Sequence, residues 1–216
     1  MSALEIISTL RQATRGMGRP AGDQIVERYG RDPYLVLISC ILSLRTKDTV
    51  SFPASCRLFE QAKGPHEMVR LSLLDIKRAI YPVGFYQRKS AQILSISVDI
   101  ITRFDGKVPS GEQELLSLAG VGRKTMNLVR ALGFGIPALC VDVHVHRISN
   151  RLGLVNTKTP EETEIALSGL LPPEYWIEYN SLLVMWGQNI CVPVSPHCSR
   201  CPILTQCQRV GVTRSR

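Results

Sequence analysis

Residues 115–154 read LLSLAGVGRKTMNLVRALGFGIPALCVDVHVHRISNRLGL. The leading segment, 115–118, is apolar and helix-competent. Gly120-Val121-Gly122 follows, and its two glycines are positions where the backbone can take positive φ and approach another molecule closely. A second helix is predicted over 123–132, stopping at Gly133 and Gly135 with Pro137 just beyond. Two helices joined by so tight a turn expose backbone N–H groups at a helix N-terminus. Unpaired amides and the helix dipole both favour an anion there, so the turn is a site for a phosphate.

Lys124 falls in the first turn of that second helix. The positive end of the dipole and partial burial both disfavour an ammonium there, so its pKa is expected to fall toward that of a usable amine nucleophile. Asp142 stands just before the next helical run, 143–152. A lone lysine in a first turn is commonly solvated, and an aspartate before a helix is commonly its N-cap. Beside the Gly-Val-Gly-Arg-Lys-Thr turn, however, an amine, a carboxylate and a phosphate grip are the parts needed to attack a sugar carbon in DNA.

LAGVGRKTMNLV followed by VDVHVHRISNRLGLV resembles the helix-hairpin-helix and catalytic-aspartate region of the endonuclease III family of DNA glycosylases. The far end of the chain supplies an independent match: Cys191-x6-Cys198-x2-Cys201-x5-Cys207 has the spacing of that family's [4Fe-4S] loop. The resemblance runs over nearly the whole chain. It implies an all-α fold of two helical domains with a DNA cleft between them. One is a six-helix barrel carrying the hairpin, here 26–136. The other joins 1–25 to 137–216 and holds the cluster.

Length and composition agree with a globular protein able to bury a core: 216 residues, 44% hydrophobic and 20% charged. A surplus of 26 Lys and Arg over 18 Asp and Glu gives +8 and makes a polyanion a plausible partner. The longest apolar run, 34–44, falls well short of the roughly 20 residues that span a membrane. The first residues, MSALEIISTLRQATRG, contain no apolar signal core. A monomeric cytoplasmic protein, associated with the nucleoid, is expected. Of seven cysteines, Cys40, Cys56 and Cys140 are scattered in apolar surroundings and read as buried small hydrophobes. An odd total without a secretion signal argues against a disulfide framework.

Every long segment reads as helix. An amphipathic helix over 3–14 places Leu4, Ile7 and Leu10 on one face and is broken by Gly16, Gly18 and Pro20. Short helices follow over 23–29 and 34–44, the latter apolar all round and so central to a bundle. In 47–59, Pro53 must sit near the first turn or bend the helix. Ser72 with Asp75, Ser110 with Gln113, and Thr159 with Glu162 are predicted capping boxes. Segment 87–104 is ambiguous, because Ile96, Val98 and Ile100 alternate like a strand, but its length favours helix. The last long helix, 174–189, presents Trp176, Leu183 and Trp186 and delivers the chain to Cys191.

Four thiolates in a short loop can converge on zinc or on an iron–sulfur cubane. Zinc sites usually arrange two close pairs; here one close pair is flanked by single cysteines, which suits a larger cluster. The resemblance implies Cys191, Cys198, Cys201 and Cys207 as ligands of a [4Fe-4S] cluster that clamps the C-terminal segment. The loop 192–197 lacks the Lys or Arg of many relatives, with Arg200 and Arg209 the nearest replacements.

By resemblance, Lys124 attacks C1′ of a flipped nucleotide, forms a Schiff base as the base departs, and nicks the strand by elimination. Asp142 activates the amine and balances the cationic character of the sugar. Adenine-mismatch relatives place Ser at the lysine position and thymine-mismatch relatives place Tyr. The expected DNA contacts are Gly120, Val121, Gly122 and Arg123 in the hairpin, with Arg45, Phe85 and His144. Arg45 in LSLRTKD stands where many members carry Gln against the orphaned base; having donors only, it is expected to prefer guanine. Phe85 in GFYQRKSA matches the family's apolar wedge, and polar Gln87-Arg88-Lys89 beside it argue against a plain core aromatic. His144 and Arg147 match an Asp-x-His-x-x-Arg pattern, with a structural hydrogen bond an equal reading for His144. Three departures stand out: Ala119 replaces the hairpin's usual Pro, Val143 a Thr that could cap the next helix, and Cys140 a small Ala.

Three functions fit these residues: a bifunctional glycosylase and abasic-site lyase acting on oxidised pyrimidines in duplex DNA; a glycosylase for mismatched or deaminated bases; and a non-catalytic iron–sulfur DNA-binding module. The last would have no need of Lys124 with Asp142.

Overall fold

A computed structural model describes residues 2–216, which form helices and no strand. The chain divides into two compact units, Ala21–Ile136 and the segment up to Pro20 joined with Pro137–Arg216. The first boundary lies a few residues earlier than the sequence suggests, because α2 (Ala21–Tyr29) buries Ile25 and belongs whole to the first unit.

That unit is built on α3 (Pro33–Ser43). Asp32 caps it, accepting from the amides of Tyr34 (2.8 Å) and Leu35 (3.0 Å), and Pro33 opens it with a preset φ. All its residues from Tyr34 to Leu42 are buried, each large aliphatic contributing roughly 1.5–3 kcal/mol. Around it pack α2, α4 (Asp48–Phe59), α7 (Tyr86–Phe104) and the stretch after α9 (Arg123–Leu128). Pro53 lies in the interior of α4, not in its first turn. The alternation in 96–100 is resolved as helix: Ile93, Ile96, Ser97 and Ile100 are buried at helical spacing, whereas Val98 is 48% exposed. Between these run α5 (Pro65–Met68) and α6 (Leu73–Ile80), the latter opened by the predicted Ser72–Asp75 capping box.

Two local expectations around the hairpin fail. Ser110 caps nothing: α8 (Glu112–Leu116) starts from extended Gly111 without a side-chain cap. The second hairpin helix changes pitch as well, since after Leu128 residues Val129–Phe134 form a π-helix. A Cβ on Gly133 would stand 2.8 Å from Pro33 Cα, so the wider turn brings bare backbone against the start of α3. Arg31 Nη1 donates to the Ala131 (3.1 Å) and Leu132 (3.4 Å) carbonyls there.

The other unit packs α1 (Ala3–Ala13), α10 (Val143–Leu152), α11 (Pro160–Ser168) and α12 (Trp176–Asn189) around Tyr179, Leu183, Trp186 and Ile148. Ser2 and Glu5 form a capping box on α1, which buries Ala3, Ile6, Ile7 and Leu10; Leu4 faces outward instead. Thr159 caps α11 through the Glu162 amide, but the Glu162 carboxylate takes the Lys158 amide, so only half of that box forms. No helix among the described residues is long and apolar enough to cross a membrane.

Candidate active site

The hairpin runs from α8 through Gly120 and Gly122 into α9. Only Gly120 needs the left-handed region (φ +69), and a Cβ there would strike Gln92, whose Nε2 donates to the Ala119 carbonyl at 2.8 Å. The Gln92 bond ties α7 to the turn at Ala119. Gly122 is extended and serves as N-cap of α9 with no side-chain cap. No atom would lie within 4 Å of a Cβ on it, so backbone is open to an approaching molecule. Val121 is buried and donates its amide to the Leu118 carbonyl (3.1 Å), while Arg123 is exposed. Lys124 is half-buried in the first turn, close enough to buried Cys40 for its charge to act on that thiol. Burial nonetheless pushes Cys40 up to about 11.

Asp142 is the N-cap of α10, its Oδ1 accepting from the amides of His144 and Val145, each at 2.9 Å. Capping therefore falls to the aspartate itself, and an exposed Val143 leaves it intact. His144 is tied into the scaffold: its Nδ1 lies 3.2 Å from Arg147 Nη2, which also donates to the carbonyls of Cys191 (2.8 Å) and Gly187 (3.3 Å). A Cβ on Gly187 would overlap the His144 ring.

Arg45 and Phe85, far apart in the chain, come together. Both are non-glycine residues held left-handed (φ 55 and 59), a conformation that concentrates at functional positions. The Arg45 guanidinium lies over the Phe85 ring, 4.9 Å from its centroid, and Phe85 is 57% exposed. Phe85 is a surface aromatic, not a core one.

Cys191, Cys198, Cys201 and Cys207 line one pocket of about 410 Å³, including its open mouth, with Arg151 and Arg209. Arg151 Nη1 donates to Cys191 Sγ (3.4 Å) and to the Val192 carbonyl (2.8 Å), and the Cys207 thiol donates to the Arg151 carbonyl (3.5 Å). Burial pushes Cys201 up to about 11 and raises Cys207 as well, so a cation is needed to hold them as thiolates. No three His, Cys, Asp or Glu side chains among the described residues stand close enough to share one metal ion. A mononuclear zinc site needs sulfurs about 3.8 Å apart, set by Zn–S bonds of about 2.3 Å, whereas a cubane takes one thiolate at each corner. Four thiol donors around one pocket fit the donor set of a cubane. Cys40, Cys56 and Cys140 are buried.

Residues 38–173 match the HhH-GPD superfamily of base excision DNA repair proteins. The chain belongs to that family. It is 45% identical to endonuclease III of Thermotoga maritima over 86% of this chain and 89% of that one. It superposes on a solved non-covalent endonuclease III–DNA complex with a TM-score of 0.83 and 30% identity, covering 95% of this chain and 93% of that one. A trapped endonuclease III–DNA covalent intermediate matches at TM-score 0.77 and 32% identity, over 88% and 93% of the two chains.

Two residues of these loops escape a reading from sequence. Lys89 belongs to a polar run that suggests solvent, yet it is 5% exposed, and Thr46 carries no signal at all. Contacts between residues so far apart in the chain leave no local pattern.

Proposed function

We propose that this protein removes oxidised pyrimidines from duplex DNA, with Lys124 as nucleophile, and then cuts the strand. Membership of the HhH-GPD family and the endonuclease III relatives make it a base excision repair enzyme, a DNA glycosylase with abasic-site lyase activity. The observation that carries the residue assignment is the lysine itself, in the first turn behind an open Gly122.

In this scheme the Lys124 Nζ lone pair bonds to C1′, and the C1′–N bond breaks with its electron pair leaving on the protonated base. Opening of the sugar ring gives a Schiff base between Nζ and C1′. Loss of a C2′ proton then expels the 3′ phosphate, breaking the C3′–O bond and nicking the strand. Asp142 takes the proton from the attacking amine and faces the cationic sugar; its Oδ1 is occupied by the cap, which assigns the chemistry to Oδ2. The hairpin from Gly120 to Arg123 grips a phosphate, Arg45 meets the orphaned base, and Phe85 fills the stack. His144 acts through Arg147 as a brace of α10 and α12 rather than on the reacting atoms. Cys191, Cys198, Cys201 and Cys207 hold a [4Fe-4S] cluster, which when bound supplies the cation that keeps them ionised and cross-links the tail. The enzyme works as a monomer in the cytoplasm at the nucleoid, as its charge of +8 favours.

Borohydride reduction on abasic duplex DNA tests the assignment. Wild-type protein is expected to become covalently joined and Lys124→Ala to give no adduct; an undiminished adduct in the variant removes Lys124 from the role. A panel of single-lesion duplexes tests the substrate class, and turnover confined to mispaired normal bases would favour the mismatch alternative.

A further inference from the structure

We infer that Lys89 is a positioning residue which locks the Arg45 loop against the Phe85 turn, so that the two side chains enter DNA as one preassembled wedge. The inference rests on the proposed roles of Arg45 and Phe85. Lys89 lies one helical turn beyond Phe85, its amide donating to the Phe85 carbonyl (3.0 Å). Its side chain turns away from solvent and reaches the end of α3. There Nζ donates to the carbonyls of Leu42 (2.9 Å) and Leu44 (2.6 Å) and to Thr46 Oγ1 (3.3 Å). These acceptors bracket Arg45. Thr46 Oγ1 in turn accepts the amide of Gly84 (3.1 Å), next to Phe85. One ammonium and one hydroxyl thus span both loops.

Gly84 makes the close approach possible, because a Cβ there would stand 3.1 Å from the Arg45 carbonyl oxygen and 3.2 Å from Thr46 Oγ1. A lysine buried with no ion pair among the described residues is a costly choice for covering a helix end. A helix C-terminus can be closed more cheaply by glycine or solvent. The cost is matched by what the ammonium does: it satisfies two backbone carbonyls just before a left-handed arginine and a hydroxyl just after it. Its three donors are all used. Arg45 and Phe85 then meet DNA already stacked, and the ordering of two loops is not charged to binding.

The test uses the iron-loaded full-length enzyme on two substrates, a duplex with a single oxidised pyrimidine and a single-stranded abasic oligomer with no partner strand to fill. Lys89→Met keeps length and removes the donors; Thr46→Val breaks the same link more mildly; Lys89→Arg restores donors. Lys89→Met is expected to slow single-turnover excision from duplex on the order of tenfold to a hundredfold, as expected for misplacement by about an ångström. Borohydride trapping of the single strand is expected to stay within about twofold of wild type. Lys89→Arg recovers most of the duplex rate, Thr46→Val loses part of it, and the Lys89→Met/Arg45→Ala double variant is no slower than the worse single one. Losses that multiply in the double variant, or an equal loss on both substrates, would overturn the inference. If Arg45→Ala and Phe85→Ala leave duplex excision unchanged, the wedge itself is wrong and the inference goes with it, an outcome distinct from multiplicative losses beside a harmful Arg45→Ala.

Discussion

Asp142 has two duties in this scheme, and two substitutions separate them. Asparagine keeps an oxygen for the His144 and Val145 amides but removes the charge. Asp142→Asn is therefore expected to melt with wild type while trapping abasic DNA roughly 10²- to 10⁴-fold more slowly, the usual weight of a general base. Asp142→Ala also loses the cap, about 1 kcal/mol, and its melting temperature should fall by about 2–4 °C for a chain of this size. Calorimetry beside single-turnover trapping reads both; an asparagine variant of full activity would leave the residue as a cap alone. Arg45 makes a prediction of the same kind. Its guanidinium, which lies over the Phe85 ring, presents donors and no acceptor. Excision opposite guanine should exceed that opposite adenine by an amount worth about 1–3 kcal/mol, and Arg45→Ala should flatten the ratio. Rates against the four opposing bases decide it.

The hairpin's two glycines look alike in the sequence but differ in the folded element. Gly120 is left-handed and closed in by Gln92, whereas Gly122 is extended with empty space before it. Gly120→Ala should lower stability by about 1 kcal/mol or more, through a strained φ and displacement of Gln92. Gly122→Ala should leave the melting temperature in place yet weaken duplex binding, since its methyl occupies the space a phosphate would enter. Thermal melts with fluorescence-anisotropy titrations distinguish them, and equal effects would contradict the assignment. The same hairpin shows what a linear reading reaches. Its turn and the place of its lysine in a first turn are encoded by residues within a few positions of each other and are legible, whereas Asp142, read from sequence as a catalytic carboxylate rather than an N-cap, does form that cap. The π-helix at Val129–Phe134 is not legible, because it is imposed by Pro33 and Arg31 from another part of the chain. Ser110 misled for a related reason: a capping pattern states only what a side chain can do, and α8 starts one residue later at Gly111. Lys89 was hidden most completely, since a polar run says nothing of a distant helix end that needs its donors.

For the molecule as a whole, the proposed ligation of a cluster by the four cysteines would set the stability of the C-terminal tail. From Cys191 onward the chain makes only two short 3-10 turns, Cys198–Arg200 and Leu204–Gln206, and Ile203 is its one deeply buried aliphatic side chain. Burying an isoleucine contributes roughly 1.5–3 kcal/mol, while ordering each backbone residue costs about 1–2 kcal/mol. Arg151, bonded to the Val192 and Pro193 carbonyls, offsets a small part of that deficit. A bound cluster closes the balance by cross-linking four points of the segment, and its loss should act locally. The core of α1, α10 and α12 is centred on Ile6, Tyr179, Leu183 and Trp186, with Cys191, Cys201 and Cys207 partly buried against it, and it belongs to a different compact unit from residues 21–136. Cys201→Ser, or iron chelation under oxidising conditions, should therefore expose residues 191–216 to hydrogen exchange and to protease while residues 21–136 keep wild-type protection. Duplex affinity should fall with it, because a loosened tail frees the Cys191 carbonyl that holds Arg147 and, through it, His144 beside Asp142. Hydrogen-exchange mass spectrometry of bleached and iron-loaded protein reads the two regions together. A tail protected equally in both forms would mean that backbone hydrogen bonds alone hold it, and the cluster would need a purpose other than cross-linking.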